Sequence, residues 1–118
     1  MREDLLVTTP LALNTNRGDD GTLVLSAAGE LDLSNVGTFV QAMNEAINQA
    51  TDQAGGTEAT VTLDFSGIEY LDSSAINVLF THAGRIRGLV INPLLSSIVT
   101  VSGLDEILTV EPPPSANP

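Results

Sequence analysis

Between Thr60 and Phe80 the sequence TVTLDFSGIEYLDSSAINVLF changes its hydrophobic period, and that change limits what the chain can fold into. Val61, Leu63 and Phe65 share one parity and Thr62, Asp64 and Ser66 the other, the alternation of a half-buried strand. After Ser66-Gly67 and a short apolar piece, Ile68 to Leu71, comes Asp72-Ser73-Ser74. Ala75, Ile76, Leu79, Phe80 and Ala83 then recur at three- and four-residue spacing, the mark of one helical face. The stretch therefore reads as strand, tight loop and helix, with a carboxylate and two hydroxyls where the helix starts.

That junction is the candidate site. The first N–H groups of a helix lack intrahelical acceptors, and Asp or Ser side chains commonly fill the gap. The simplest reading is a cap. Two features point further. The loop follows a strand, so it should project at the carboxyl edge of a sheet, where α/β proteins place recognition surfaces. It also offers two adjacent hydroxyls where one cap needs only one. A phosphate on Ser73 would lie against open N–H groups at the positive end of the helix dipole. It would add up to about two negative charges beside Glu69 and Asp72, a workable electrostatic switch for a partner.

Around this centre the chain falls into ordered signals. Residues 1–10 hold a short apolar patch, Leu5 to Val7, which reads as an arm or an edge strand. Leu11-Ala12-Leu13 leads into the polar tract Asn14 to Gly21, with Asp20-Gly21 a turn pair, and Thr22 to Ala28 follows as a strand, so a hairpin is expected. Gly29 to Ser34 closes that strand and opens a helix striped by Val36, Phe39, Val40, Met43, Ile47 and Ala50, with Asp32 or Ser34 as cap. The polar stretch Thr51 to Glu58 should lie beyond its end. Leu89-Val90-Ile91, between Gly88 and Asn92-Pro93, reads as a short buried strand. Pro93 can open a helix carrying Leu94, Leu95, Ile98 and Val99, which Ser102-Gly103 ends and Leu104 folds back upon. Asp105 to Val110 reads as a final strand, or as a turn of helix before an edge strand. Residues 111–118, EPPPSANP, should form a disordered tail. Helix, loop, strand and helix in this order indicate an α/β domain with part of its sheet parallel.

Composition removes several functions. The chain has 118 residues, enough for one domain with a modest core. No cysteine is present, so disulfides, thiolate nucleophiles and sulfur-rich metal sites are excluded. Fifteen acids against four arginines give a formal net charge of -11, which repels nucleic acid and anionic membrane alike. No signal peptide or spanning segment is evident, and a cytoplasmic location is expected. Enzyme chemistry finds little support. The single histidine, His82, lies nine residues after Ser73, roughly 13 Å along a helix and too far to serve as its base. Asp32, Asp64 and Asp72 are the first candidates for magnesium, but an acidic surface produces such groupings by chance, and no cofactor or metal site is expected. Arg85 and Arg87 are either solvated near a helix C-terminus or an anion or partner contact.

Three segments together resemble a STAS domain of the anti-sigma factor antagonist family: Gly29-Glu30-Leu31-Asp32, then Val61 through Ser74, then Ser102-Gly103-Leu104 with Ile107 behind it. The middle one is the most specific, and the likeness runs from about Leu11 to Val110. It implies a STAS-like domain over residues 11–110, a mixed β-sheet of about four to five strands packed against about three to four helices, and a switch protein rather than an enzyme. It implies that the unphosphorylated form binds an anti-sigma factor, a serine kinase, and so releases a sigma factor. Phosphorylation of Ser73 switches that binding off, and a phosphatase resets it. The implied partner contacts are Asp32, Asp72, Ser73, Ser74, Ala75 and Asn77. The chain departs from the family where glycines commonly flank a large apolar residue after the hydroxyls, having Ala75, Ile76 and Asn77 instead. It is also shortened between Asp72 and Ser102, and its Pro-rich end replaces a further helix. An uncovered sheet face would then be open to a partner or to a second copy. The alternative is a non-phosphorylated STAS module serving as regulator or scaffold in a signalling or transport complex.

Overall fold

The computed structural model describes residues 11–18, 22–53 and 59–113. The expectations for residues 1–10, for the turn pair Asp20-Gly21 and for residues 114–118 fall outside these. Five strands form one sheet in the order β1-β2-β3-β4-β5: β1 (Ala12–Arg17), β2 (Leu23–Leu31), β3 (Val61–Leu71), β4 (Ile86–Ile91) and β5 (Val110–Glu111). β1 runs antiparallel to β2 and the remaining pairs are parallel, so the sheet is mixed. Four α-helices join them, α1 (Val36–Gln53), α2 (Ser73–Thr81), α3 (Ser96–Ser102) and α4 (Leu104–Ile107). This is the STAS-like architecture expected from the sequence.

One face of the sheet carries the core. Leu23, Leu25, Leu31, Val61, Leu63, Phe65, Leu89 and Ile91 point to the helices and are buried, as the alternation requires. Phe39, Met43 and Ile47 of α1 meet them, and the Phe39 and Phe65 rings lie edge to face with centroids 5.6 Å apart. That geometry contributes about 0.5–1.5 kcal/mol beyond the area it buries. The other face, reading across register, is Ala12, Asn14 and Asn16, then Val24, Ser26 and Ala28, then Thr62 and Asp64, then Val90 and Glu111. Apart from Val24 and Val90 these are small or polar residues.

Several boundaries differ from the sequence expectation. β1 includes Asn14 to Arg17, because an edge strand with one open side tolerates polar side chains on both faces. α1 continues through Thr51 to Gln53, since nothing before Gly55 forbids helix. β3 does not stop at Ser66-Gly67. It runs unbroken to Leu71 by taking two bulges, one where Ser26↔Asp64 gives way to Ala28↔Gly67 and one where Gly29↔Ile68 gives way to Glu30↔Tyr70. Glycine is required at the first of these, because a Cβ on Gly67 would come within 2.8 Å of the Ala28 Cβ. α2 ends at Thr81, so Ala83 falls in a separate 3₁₀ turn, and Phe80 is partly exposed instead of joining the buried face of Ala75, Ile76 and Leu79. Pro93 opens a 3₁₀ turn ahead of α3, which leaves Leu94 73% exposed while Leu95 and Val99 are buried. Gly103 closes α3 in the left-handed conformation at φ 87°, with Leu104 buried behind it as the sequence implied. The final segment takes the second of its two readings, a turn of helix (α4) before the edge strand β5.

Candidate functional site

Because β2, β3 and β4 are parallel neighbours, the segments that follow them emerge side by side at one edge. The β3 loop lies between the other two. Asp72 organises this edge. Its Oδ1 accepts the Ala75 N–H at 3.1 Å and the Ser74 hydroxyl at 2.5 Å, capping α2, and its Oδ2 accepts the Leu33 N–H from the neighbouring loop at 2.9 Å. The Asp72 N–H in turn donates to Leu31 O. One carboxylate thus starts a helix and ties two loops together. Partial burial raises its pKa, but the hydrogen bonds from the Ser74 hydroxyl and from the N–H groups of Ala75, Leu33 and Ser74 outweigh that, and the net shift is downward. The group is held as a carboxylate.

The two hydroxyls of the loop therefore have different situations. Ser74 is committed to Asp72. Ser73 is exposed, and no hydrogen bond to its hydroxyl occurs among the described residues. The expectation that a phosphate on Ser73 would find open N–H groups needs correction, because Asp72 already holds those of Ser74 and Ala75. A phosphate there would project from a loop already bearing a fixed negative charge.

The loop after β2 is built in the same way. Asp32 Oδ1 accepts the Ser34 N–H and hydroxyl, and the Asn35 side chain receives the Asp32 N–H and donates to Glu30 O. Neither Asp32 nor Ser34 caps α1 with its side chain, because the turn over residues 33–35 delays the helix to Val36: the two bond to one another ahead of it, and the Val36 N–H is taken by the Asp32 backbone carbonyl. A third segment of this kind lies within β3, where Asp64 Oδ1 accepts the Ser66 N–H and hydroxyl at the first bulge. Asp64 is thus occupied in stabilising a strand irregularity. Asp-x-Ser recurs at 32, 64 and 72, a repetition legible in the sequence, while the side-chain pairing it produces is a property of the fold.

The remaining expected residues separate. Asn77 lies one helical turn from Ser73 on α2 and is exposed, so the two share a face. Ala75 is fully buried, and what it offers the site is its N–H. Asn92 joins the edge from β4, donating to Ile68 O and accepting the Leu94 N–H. Arg85 and Arg87 are at the opposite end of the sheet. Arg85 donates to Ala59 O at 2.8 Å and so braces the entry to β3. His82 closes α2, with Nδ1 3.0 Å from Val78 O. Among the described residues, no group of three or more His, Asp or Glu side chains is placed to hold a metal. No described helix is long and apolar enough to cross a membrane. A groove of about 280 Å³ lies over β1, β2 and β3, lined by Ala12, Ala28, Asp64 and Gly67 among others, and it includes none of residues 72–77.

Comparison with known proteins bears on the family and the fold. The family model described as "Mlab, STAS domain" matches residues 14–110. Among solved structures, an anti-sigma factor antagonist from Mycobacterium paratuberculosis superposes with a TM-score of 0.72 at 20% identity, over 90% of this chain and 87% of that one. An uncharacterized DUF3478 protein with a SpoIIAA-like fold from Shewanella loihica gives 0.49 at 13% identity, over 91% and 88%. No curated protein sequence matches.

Proposed function

The chain belongs to the STAS domain family, which is regulatory and not catalytic, and from that premise we propose that it is an anti-sigma factor antagonist whose binding is switched at Ser73. In the unphosphorylated state, the edge formed by Asp32, Asp72, Ser73 and Asn77 binds an anti-sigma factor that is itself a serine kinase, releasing the sigma factor. The kinase moves the γ-phosphoryl group of ATP to the Ser73 Oγ, whose proton is released, ADP departs, and the bulky, hydrated phosphate beside Asp72 ends binding. A phosphatase restores the hydroxyl.

The observation that carries this reading is the division of labour between neighbouring serines. Ser74 and Asp72 already make the cap, so the exposed Ser73 hydroxyl has no structural task among the described residues. Asp72 keeps its hydrogen bonds when Ser73 is modified, so the switch changes the surface without dismantling the helix.

The test is intact-mass analysis after incubation with ATP and each candidate anti-sigma kinase from the same genome. A single added phosphate, mapped to Ser73 and absent in Ser73→Ala, is expected, with Ser73→Asp losing the partner. If a kinase binds but leaves the mass unchanged, and Ser73→Asp binds as well as the parent, the domain is instead a non-phosphorylated regulatory or scaffold module.

A further inference from the structure

Charge is segregated along the sheet. The three arginines of the described residues all lie at its amino end: Arg17 opposite Leu23, the first residue of β2, and Arg85 and Arg87 around the start of β4. At the carboxyl end, residues 30–35, 68–77 and 92–97 contain Glu30, Asp32, Glu69 and Asp72 and no Arg, Lys or His. The same edge exposes large apolar side chains that the core does not use. Leu33 is 75% exposed, Leu94 73% and Tyr70 50%. Sequence order does not bring them together; the sheet does. Leu33 follows β2 and Leu94 follows β4, so they flank the Ser73 loop, and adjacent strands about 4.8 Å apart put the two within reach of one binding surface.

Neither leucine is loosely placed. Asp72 holds the Leu33 backbone, and Asn92 holds that of Leu94 while bonding to β3. Exposed leucines on braced backbone lose little freedom on binding, which is how apolar anchors gain affinity.

We infer that Leu33 and Leu94 are the apolar anchors of the docking surface, and that its occupant is a basic protein face with apolar recesses. The inference rests on the binding edge proposed above and adds the source of affinity: the leucines hold the partner, and a phosphate on Ser73, standing between them, keeps it from close contact by bulk and desolvation cost and not by charge repulsion. Steering by the acidic edge makes association faster at low salt.

Two experiments test this. In the first, amide shifts of the labelled domain are followed on titration with a synthetic amphipathic helix bearing leucine on one face and arginine on the other, beside an analogue with glutamate for arginine. Shifts confined to residues 31–35, 69–74 and 92–95 are expected with the arginine peptide only. Shifts elsewhere, or equal response to the glutamate analogue, overturn the inference. In the second, whichever anti-sigma kinase binds is titrated with Leu33→Ser and Leu94→Ser, each expected to weaken binding about tenfold or more. Unchanged affinity in both overturns the inference and leaves the antagonist reading intact. Conversely, capture of the arginine peptide at this edge with no kinase binding sustains the anchors and removes the antagonist reading.

Discussion

In the loop after β2, Asp32 accepts two hydrogen bonds from Ser34; in the loop after β3, Asp72 does the same for Ser74 through its hydroxyl and N–H. Only Asp72 sends its second oxygen out of its own loop, to Leu33. The two also differ in their middle residue, an exposed leucine in one and an exposed serine in the other. Asp64-Phe65-Ser66 supplies the same device inside a strand, where the middle residue is buried. The shared Asp–Ser pairing sets local backbone shape, and the middle residue decides whether the segment serves the core or the surface.

Substitutions at the middle positions and at the aspartates separate these roles. The largest effect should come from Phe65→Ala, which empties a fully buried site against Phe39 and is expected to cost about 3–5 kcal/mol in urea unfolding. Asp72→Ala removes a helix cap and a cross-loop bond together, for about 2 kcal/mol, whereas Asp32→Ala loses local bonds alone, for about 1 kcal/mol. Equal values for the two would mean that the bond to Leu33 contributes nothing. The contrast should also depend on pH. Because the folded pKa of Asp72 lies below its unfolded value, its contribution is complete above the ordinary carboxylate pKa. It is lost as pH falls through that value and on through the lowered folded one. Asp72→Asn should flatten that acid limb of the stability curve. The smallest effects belong to Ser73→Ala and Leu33→Ala, each within about 0.5 kcal/mol in the same unfolding assay, since both side chains face solvent. A larger loss in Ser73→Ala would give that hydroxyl a structural task and weaken its reading as a switch.

The aspartate results would also show how far the site could be read from sequence. The change of period at residues 61–80 located the strand, the loop and the helix, and the two adjacent serines implied one spare hydroxyl, with Ser73 indicated by the family resemblance. That the junction holds a cap followed from local rules, because a side chain three residues before an N–H can reach it without help from elsewhere, and the structure assigns that cap to Asp72. The bond from Asp72 to Leu33 had no local signal: 39 residues separate them, and only parallel pairing of β2 and β3 brings them into contact. The bulges in β3 were missed for a similar reason. Ser66-Gly67 looks like a chain break in isolation, and becomes a strand only when β2 pairs alongside it.

Phe80 and Leu94 show the same limit on the core side. Each fits an apolar helical spacing, yet α2 stops at Thr81 and Pro93 starts a 3₁₀ turn, so small changes of phase turn both outward. Periodicity, turn chemistry and charge thus determined from the sequence alone an acidic α/β domain with an oxygen-rich strand-to-helix junction. Tertiary structure decided which loops share that edge, which serine is spare and which leucines are left exposed. The physical reason is distance. Capping and amphipathicity act within a turn or two of chain, while the edge is assembled from three loops that only the sheet holds together.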